Sequence, residues 1–331
     1  MEDFSELNLI GRSPAFLSAL NLVRKFATCD ATVLIQGETG TGKELVARAI
    51  HYLGVRRDEP FIPVNCGAIP DNLLENELFG HARGAFTDAR DASSGLITEA
   101  EGGTLFLDEV EVLTPKGQVA LLRFLQDGAY RQLGGKRLID ANVRVVAASN
   151  TNIEQLVAQN RFRADLLYRL AVMPVVLPPL RNRAGDVSLL AQHFVRRLNS
   201  RYRTSKRLCD SSLRALEIRA WPGNVRELEN ILHREFLLAE GEVMQLADLV
   251  AVEVHSREAS FENETDAFEQ GFSTAKARIV AEFEHRFLRW ALAQSGGNVS
   301  VAARRAGKER RNFGRLLKKH GIDRARYAAE Y

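Results

Sequence analysis

Val33-Leu34-Ile35-Gln36-Gly37-Glu38-Thr39-Gly40-Thr41-Gly42-Lys43 joins a short apolar run to a glycine-rich turn that ends on a lysine. The run Thr32–Gln36 reads as a buried strand, and an amphipathic helical pattern, Lys43–Leu53, begins at the lysine. Strand, GxxxxGK turn and helix in that order make a phosphate cradle. Glycines let backbone N–H groups curl around a phosphate, the helix N-terminus adds positive potential, and Lys43 can reach the terminal phosphates. Glu44 stands where such cradles usually place Ser or Thr for magnesium. The competing explanation is a glycine-rich strand–helix turn with no ligand.

Working outward, Phe61–Asn65, Gly103–Leu107 and Val143–Ser149 also read as buried strands, with Lys116–Gln126 as a further amphipathic helix between them. Strands alternating with helices predict an α/β fold around a mainly parallel sheet. Thr104-Leu105-Phe106-Leu107-Asp108-Glu109 is an apolar strand closing on paired carboxylates about 65 residues after the cradle. A buried strand aims those acids at the carboxyl edge of the sheet, where ligands bind in open α/β folds. Asp108 is expected to hold magnesium and Glu109 to polarise the attacking water. The third strand ends in Asn150, placed to hydrogen-bond that water or to sense the γ-phosphate; the alternative is an asparagine in a strand-end turn. Arg163 and Arg169 flank the helical segment Ala164–Tyr168. An arginine supplied in trans to a transferring phosphoryl group raises its rate by roughly 10³–10⁵; the alternative for either arginine is a surface ion pair.

The 331 residues, 45% hydrophobic and 26% charged, suffice for two or more packed domains. No apolar run approaches bilayer length, and Met1–Ile10 lacks the basic-then-apolar layout of a signal peptide. Cys29, Cys66 and Cys209 are odd in number and in no ligand spacing, so neither a disulfide framework nor a zinc site is predicted, and a reducing cytoplasm is expected. The net charge of +3 is unevenly spread. Residues 276–331 hold 14 Lys/Arg against 5 Asp/Glu, whereas residues 241–275 hold one Arg against 8 acids. A basic tail behind an acidic connector points to a polyanionic partner or, equally, to a solvated charged helix pair.

That tail has its own pattern. Phe283–Gln294 reads as a helix with Phe283, Phe287, Trp290 and Ala291 on one stripe. Asn298 caps a short helix through Arg305, Gly307 turns the chain, and a second helix, Lys308–His320, ends at Gly321. Two short helices around a glycine turn, the second rich in Arg and Lys, fit a helix-turn-helix reading the major groove of double-stranded DNA. With Phe313, Leu316 and Leu317 assigned to the core, Lys308, Arg310, Arg311, Asn312 and Arg315 face outward as base or phosphate contacts. Arg304, Lys318 and Lys319 are expected on phosphates. A helical dimerisation module with a basic rim is the other reading, and the two are compatible.

Six strings resemble one family in its order: Gly37–Glu44, Glu77–His81, Gly84–Ala89, Gly102–Glu109, Phe162–Leu170 and Trp221–Asn230. Together they look like the bacterial enhancer-binding proteins, AAA+ ATPases that remodel sigma-54 RNA polymerase, and the tail resembles their Fis-type helix-turn-helix. The resemblance also accounts for Glu44, which that family ordinarily carries after the lysine. It implies an AAA+ P-loop NTPase core with a helical lid, then an all-α Fis-type domain. The expected boundaries are 1–176 for the α/β part, 177–240 for the lid, 241–274 for an acidic linker and 275–331 for the DNA-binding domain.

Carried over residue by residue, the resemblance implies that Lys43 and Asp108 bind ATP and Mg2+ and that Glu109 is catalytic. Asn65 would hold Glu109 away from the water until the site is engaged. Asn150 matches the first sensor and Arg226 the second. Arg163 and Arg169 match arginine fingers that reach a neighbour's ATP, implying a ring, normally a hexamer. Gly84, Ala85, Phe86, Thr87, Asp88 and Ala89 match the sigma-54 contact loop, with Asp88 in place of a glycine. Aspartate tolerates glycine's backbone angles only in part and adds a negative charge to a protein contact. The core begins almost at Met1, a layout that resembles the phage-shock activators, so control by an inhibitor protein in trans or by expression level is expected. Two other readings stand beside the activator: a relative without sigma-54 contact that acts as a DNA-binding repressor, and a different AAA+ machine.

Overall fold

Arg144–Ser149 is buried at all six positions, which only a central strand covered on both faces requires. It lies in a five-stranded parallel sheet made of β1 (Val33–Gln36), β2 (Phe61–Asn65), β3 (Thr104–Asp108), β4 (Arg144–Ser149) and β5 (Met173–Val176), in spatial order β2-β3-β4-β1-β5. The computed structural model describes residues 4, 7–70, 73–85, 91–246, 280–281, 284–285, 287–292, 295 and 298–322. The chain divides into two compact units, Met1–Ala251 and Val252–Tyr331.

Alternation along the strands sorts the core into two layers. Leu105 and Leu107 of β3, with Val145 and Ala147 of β4, pack on one face with Leu121, Leu122 and Phe124 of α3 (Pro115–Asp127) and Leu166 and Leu170 of α4 (Ala164–Leu170). Phe106, Val146 and Ala148 point the other way, onto Phe16, Leu20 and Val23 of α1 (Pro14–Ala27) and Val46 and Ile50 of α2 (Lys43–Tyr52). Thr114 starts α3 by accepting from the Gly117 N–H at 3.3 Å, with Pro115 in the first turn.

Four of the strands follow the sequence reading to within a residue. The fifth, β5, does not, because its Pro174 lies in the segment read as the boundary of the α/β part. Proline cannot donate to a ladder, and β5 is an edge strand paired to β1 alone, where that loss is tolerated.

The lid is helical: α5 (Asp186–Tyr202), α6 (Asp210–Ile218) and α7 (Asn224–Leu238) enclose Trp221, which is fully buried and donates Nε1–H to the Leu216 carbonyl at 2.8 Å. The sequence reading ends the lid at 240, and packing against the lid helices continues beyond that residue. Val243–Met244 pairs in parallel with Arg207–Leu208, and Met244 and Leu246 are buried against the lid helices, so residues to 246 belong to its packing. The acidic composition of the segment hid its two apolar anchors, Met244 and Leu246.

In the second unit, Asn298 accepts from the N–H groups of Ser300 and Val301 and starts α8 (Val299–Arg305). Gly307, with φ 62°, turns the chain, and α9 (Arg310–Lys319) follows. Phe313 and Leu317 pack on Ala302 and Ala303. The preceding helical residues bury Leu288, Ala291 and Leu292, whereas Trp290 is 48% exposed. Of the expected stripe Ala291 is buried, but Leu288 and Leu292 fill the core beside it and Trp290 lies outside under Arg305. Phe283 falls outside the described residues. Among the described residues no helix is long and apolar enough to cross a membrane.

Candidate active site

The cradle opens where β1 ends. Gly40 and Gly42 take φ values of 79° and 98°, which other residues adopt only with strain. At Gly40 there is a second constraint, because a Cβ would stand 2.3 Å from the carbonyl oxygen of Gly223 in the lid. The Val225 N–H donates to the Gly40 carbonyl at 3.0 Å, tying cradle to lid.

Lys43 is 6% exposed, a placement an ammonium tolerates only with partners. It donates to the carbonyls of Gly37 at 2.8 Å and Glu38 at 3.1 Å and to Asn150 Oδ1. Burial lowers its pKa from the usual lysine value, while Asp108, Glu111 and Glu109 act in the opposite sense. Asp108 shows the converse: burial raises its pKa and the neighbouring Lys43 charge draws it back down.

Register brings the acids together. Asn65 lies opposite Asp108 at the carboxyl ends of β2 and β3. Glu109 follows in the left-handed region at φ 59°, a conformation that costs a non-glycine residue free energy and persists where surrounding structure over-determines it. Its Oε1 accepts from Asn150 Nδ2 at 3.2 Å. Asn65 spends its Oδ1 on the N–H groups of Gly67 (2.8 Å) and Ala68 (3.1 Å), closing a turn. Glu109 Oε2 nevertheless borders that turn, since a Cβ on Gly67 would stand 2.6 Å from it and 3.3 Å from Asn65 Oδ1. In this arrangement Glu109 is held by Asn150 rather than by Asn65. Burial pushes the Cys66 thiol up to about 12, which leaves it unreactive beside the site.

A cleft of about 240 Å³ runs over these groups and is lined by Thr39–Leu45, Asp108, Glu109, Asn150, Val225 and Arg226. Leu9, Ile10 and Leu190 form an apolar wall beside Asn8, and none of the four carried a sequence signal, because such a wall has no motif. Two further missed residues tie the cradle to the lid. Asn224, fully buried and at φ 50°, donates to Glu38 Oε2 (3.1 Å) and the Thr39 carbonyl (3.0 Å) and accepts from Leu180 N (2.7 Å). Arg181 meets Glu38 through both terminal nitrogens and holds its carboxyl below the usual glutamate value.

Other expected residues stand elsewhere. Thr41 turns its hydroxyl back to the Glu38 carbonyl, and Glu44 turns outward to Arg48 at 2.8 Å. Arg163 and Arg169 are exposed and do not line the cleft of their own chain; Arg163 is paired with Asp165 at 2.7 Å. Gly84, at φ 80°, and Ala85 begin the expected contact loop, of which Phe86, Thr87, Asp88 and Ala89 lie outside the described residues. On the second unit Arg304, Lys308, Arg310, Arg311, Asn312, Arg315, Lys318 and Lys319 are all exposed, with Lys319 paired to Glu284 at 2.9 Å.

The donor set suits a nucleotide with a magnesium ion. The buried cation and curled backbone suit phosphates, and Mg2+ is ordinarily held by one or two carboxylates plus phosphate oxygens rather than by an all-protein cage. Among the described residues no cluster of three or more metal-ligating side chains occurs.

Comparison with known proteins agrees. The sigma-54 interaction domain matches residues 9–176, and the AAA+ ATPase lid domain matches residues 181–266. The phenol regulator MopR of Acinetobacter guillouiae is 42% identical over 326 residues, covering 96% of this chain and 57% of that protein. The transcriptional regulatory protein GlrR of Escherichia coli strain K12 is 42% identical over 316 residues, covering 95% of this chain and 68% of that protein. The crystal structure of NtrX from Brucella abortus in complex with ATP matches with a TM-score of 0.68 at 30% identity, over 95% of this chain and 69% of that one. The chain thus spans little more than half the length of MopR. It belongs to the sigma-54 interaction domain family, with the AAA+ ATPase lid domain following its core.

Proposed function

We propose that the chain is an ATP-dependent transcriptional activator that hydrolyses ATP to remodel sigma-54 RNA polymerase into the open complex. The observation that carries this reading is the meeting of Lys43, Asp108, Glu109 and Asn150 in one cleft of a sigma-54 interaction domain. Lys43 binds the terminal phosphates, and Asp108 holds the magnesium ion, which neutralises phosphate charge when bound. Glu109 takes the proton of the attacking water, and Asn150 orients that water or the γ-phosphate. Asn65 and Asn150 both border Glu109; capture by Asn65 holds the carboxylate away from the water, and its release as the site is engaged frees it to act. Arg163 and Arg169 complete a neighbour's cleft in a ring of up to six chains, and Arg226, on the lid helix α7, acts as the second sensor. The absence of Arg163 and Arg169 from the cleft of their own chain supports that division.

The second unit binds enhancer half-sites as a Fis-type helix-turn-helix, with α9 in the major groove. Its exposed basic side chains on a packed helix pair support this reading. Dimeric binding would separate half-sites by about 34–36 Å. The domain plan is the α/β part to 176, a lid from 177, an acidic linker, and the DNA-binding domain from 275. A cytoplasmic location and control in trans by an inhibitor protein complete the reading.

Asp88 favours one second reading, a DNA-binding regulator or repressor whose motor no longer engages sigma-54. Open-complex formation on a sigma-54 promoter separates the two. ATP-dependent open complexes from the unmodified chain support the activator. Open complexes only after Asp88→Gly, with equal ATPase in both proteins, support the regulator and overturn the activator.

A further inference from the structure

Glu111 is an acid for which the cleft chemistry above has no use. It lies in the 3₁₀ turn Val110–Val112 that follows β3. Backbone pairing between β3 and β4 stops at Leu107 and Ala147, and pairing between β1 and β4 stops at Gln36 and Ser149. Asn150 is therefore the first residue of its strand beyond the sheet, and its N–H has no ladder partner. Glu111 Oε1 takes that hydrogen bond at 2.9 Å from 39 residues away in sequence. The other oxygen, Oε2, is buried and unpartnered.

An unpartnered buried carboxylate oxygen costs free energy, so its retention calls for a compensating role. The arrangement supplies one. The Asn150 side chain stands between Lys43, which donates to its Oδ1, and Glu109, which accepts from its Nδ2. Swinging the Asn150 backbone by a fraction of a turn would carry the carboxamide away from both. The adjacent hydrogen bonds, from Ser149 Oγ to the Thr151 carbonyl and from Thr151 N to Ser149 Oγ, close a turn on either side of Asn150 but hold none of its own atoms. Among the described residues Glu111 alone accepts from the Asn150 backbone N–H.

We propose that Glu111 is a positioning residue for ATP hydrolysis, acting through Asn150: its carboxylate holds the Asn150 backbone so that the carboxamide faces the γ-phosphate end of the cleft. The proposal rests on the reading of that cleft as an ATPase site. It calls for an oxygen acceptor at Glu111, not a negative charge.

That distinction gives the test. Glu111→Ala removes the acceptor, and Glu111→Gln keeps an acceptor oxygen at the same reach without the charge. Two quantities are measured on the full chain: kcat and KM for MgATP, and the ratio of binding constants for a non-hydrolysable ATP analogue and ADP. Misplacing a group that orients the reaction by about 1 Å can cost about 100-fold in rate. Glu111→Ala is therefore expected to lower kcat by about 10- to 100-fold with KM within about 2-fold. It should also reduce the analogue-over-ADP preference, and Glu111→Gln should restore both. Combining Glu111→Ala with Asn150→Ala should lower kcat no further than Asn150→Ala alone.

Wild-type kcat and wild-type preference in Glu111→Ala would overturn the proposal. So would a Glu111→Gln protein as impaired as Glu111→Ala, since charge would then matter, or full additivity with Asn150→Ala. If the unmodified chain hydrolyses no ATP, the ATPase reading fails, and the binding ratio in the three variants still decides the role of Glu111.

Discussion

Asn150 donates its Nδ2–H to Glu109 Oε1 at 3.2 Å while its Oδ1 accepts from Lys43. On the proposed reading, one carboxamide joins the residue that would bind phosphate to the residue that would activate water. An arriving γ-phosphate competes for Lys43, and breaking the Lys43–Asn150 bond frees the carboxamide to turn. On that reading, occupancy of the cleft and release of Glu109 would be coupled through one side chain.

Glu109→Gln keeps the hydrogen-bonding shape of the side chain and removes the base. Its kcat for ATP should fall by about 10²–10⁴-fold, the usual contribution of a positioned general base. ATP affinity, measured by equilibrium titration, should stay within about 3-fold of wild type. Full turnover in this variant would remove Glu109 from the chemistry.

The lid is expected to depend on Asn224 far more than on Arg181, although both meet Glu38. Arg181 and Glu38 are 45% and 40% exposed, so water and salt screen their pair, and such pairs contribute about 0–1 kcal/mol. Asn224 is fully buried with both ends of its amide bonded. Losing it leaves buried partners unmatched at about 1–3 kcal/mol. Urea denaturation should show Asn224→Ala clearly destabilised and Arg181→Ala close to wild type. Equal effects would contradict this ranking.

Stability should also decline as the solution is made acidic. Burial lowers the pKa of His51 and of His193, so the folded chain keeps both neutral at pH values where the unfolded chain protonates them. Above the ordinary histidine value of about 6.5 both states are neutral and the effect vanishes. Below it each histidine removes up to about 1.4 kcal/mol per pH unit. His51 also touches Thr104 Oγ1 at 3.0 Å through Nδ1 and packs on Phe61. Urea midpoints from pH 7.5 to 5.5 should fall in the wild type and fall less in His51→Gln; parallel curves would refute the assignment to His51.

For the second unit the prediction concerns salt. If Arg304 and Lys318 contact phosphates, replacing either with Ala should weaken binding to all DNA sequences alike. The slope of log affinity against log salt should flatten by about one for each. Replacing Arg311 or Asn312 should instead alter sequence preference. An unchanged slope after Arg304→Ala and Lys318→Ala would favour a dimerisation surface.

The sequence made the sheet and the phosphate site legible because both rest on short local signals. A glycine turn between strand and helix and an apolar strand ending in Asp108-Glu109 each state their chemistry in a few residues. What was not legible depends on distant partners. Asn224 meets Glu38 across 186 residues, and nothing in the local string Pro222–Val225 announces it. Strand β5 was hidden by Pro174, the lid's last anchors by the acidic residues around Met244 and Leu246, and the core of the second unit by Trp290, whose size suggested burial. Glu111 went unread because the Asp108-Glu109 pair just before it already completes the motif.

In the proposed ring each cleft is an ATPase site which a neighbouring chain completes. Mixing Lys43→Ala with Arg163→Ala protein tests it most directly, with ATPase read at concentrations where the wild type assembles. Each variant alone should be nearly inactive. The Arg163→Ala chain still offers an intact Lys43 to the intact arginine of a Lys43→Ala neighbour, so an equimolar mixture should recover up to about one quarter of wild-type activity in randomly mixed rings. A mixture no more active than its components, beside an active wild type, would contradict the account.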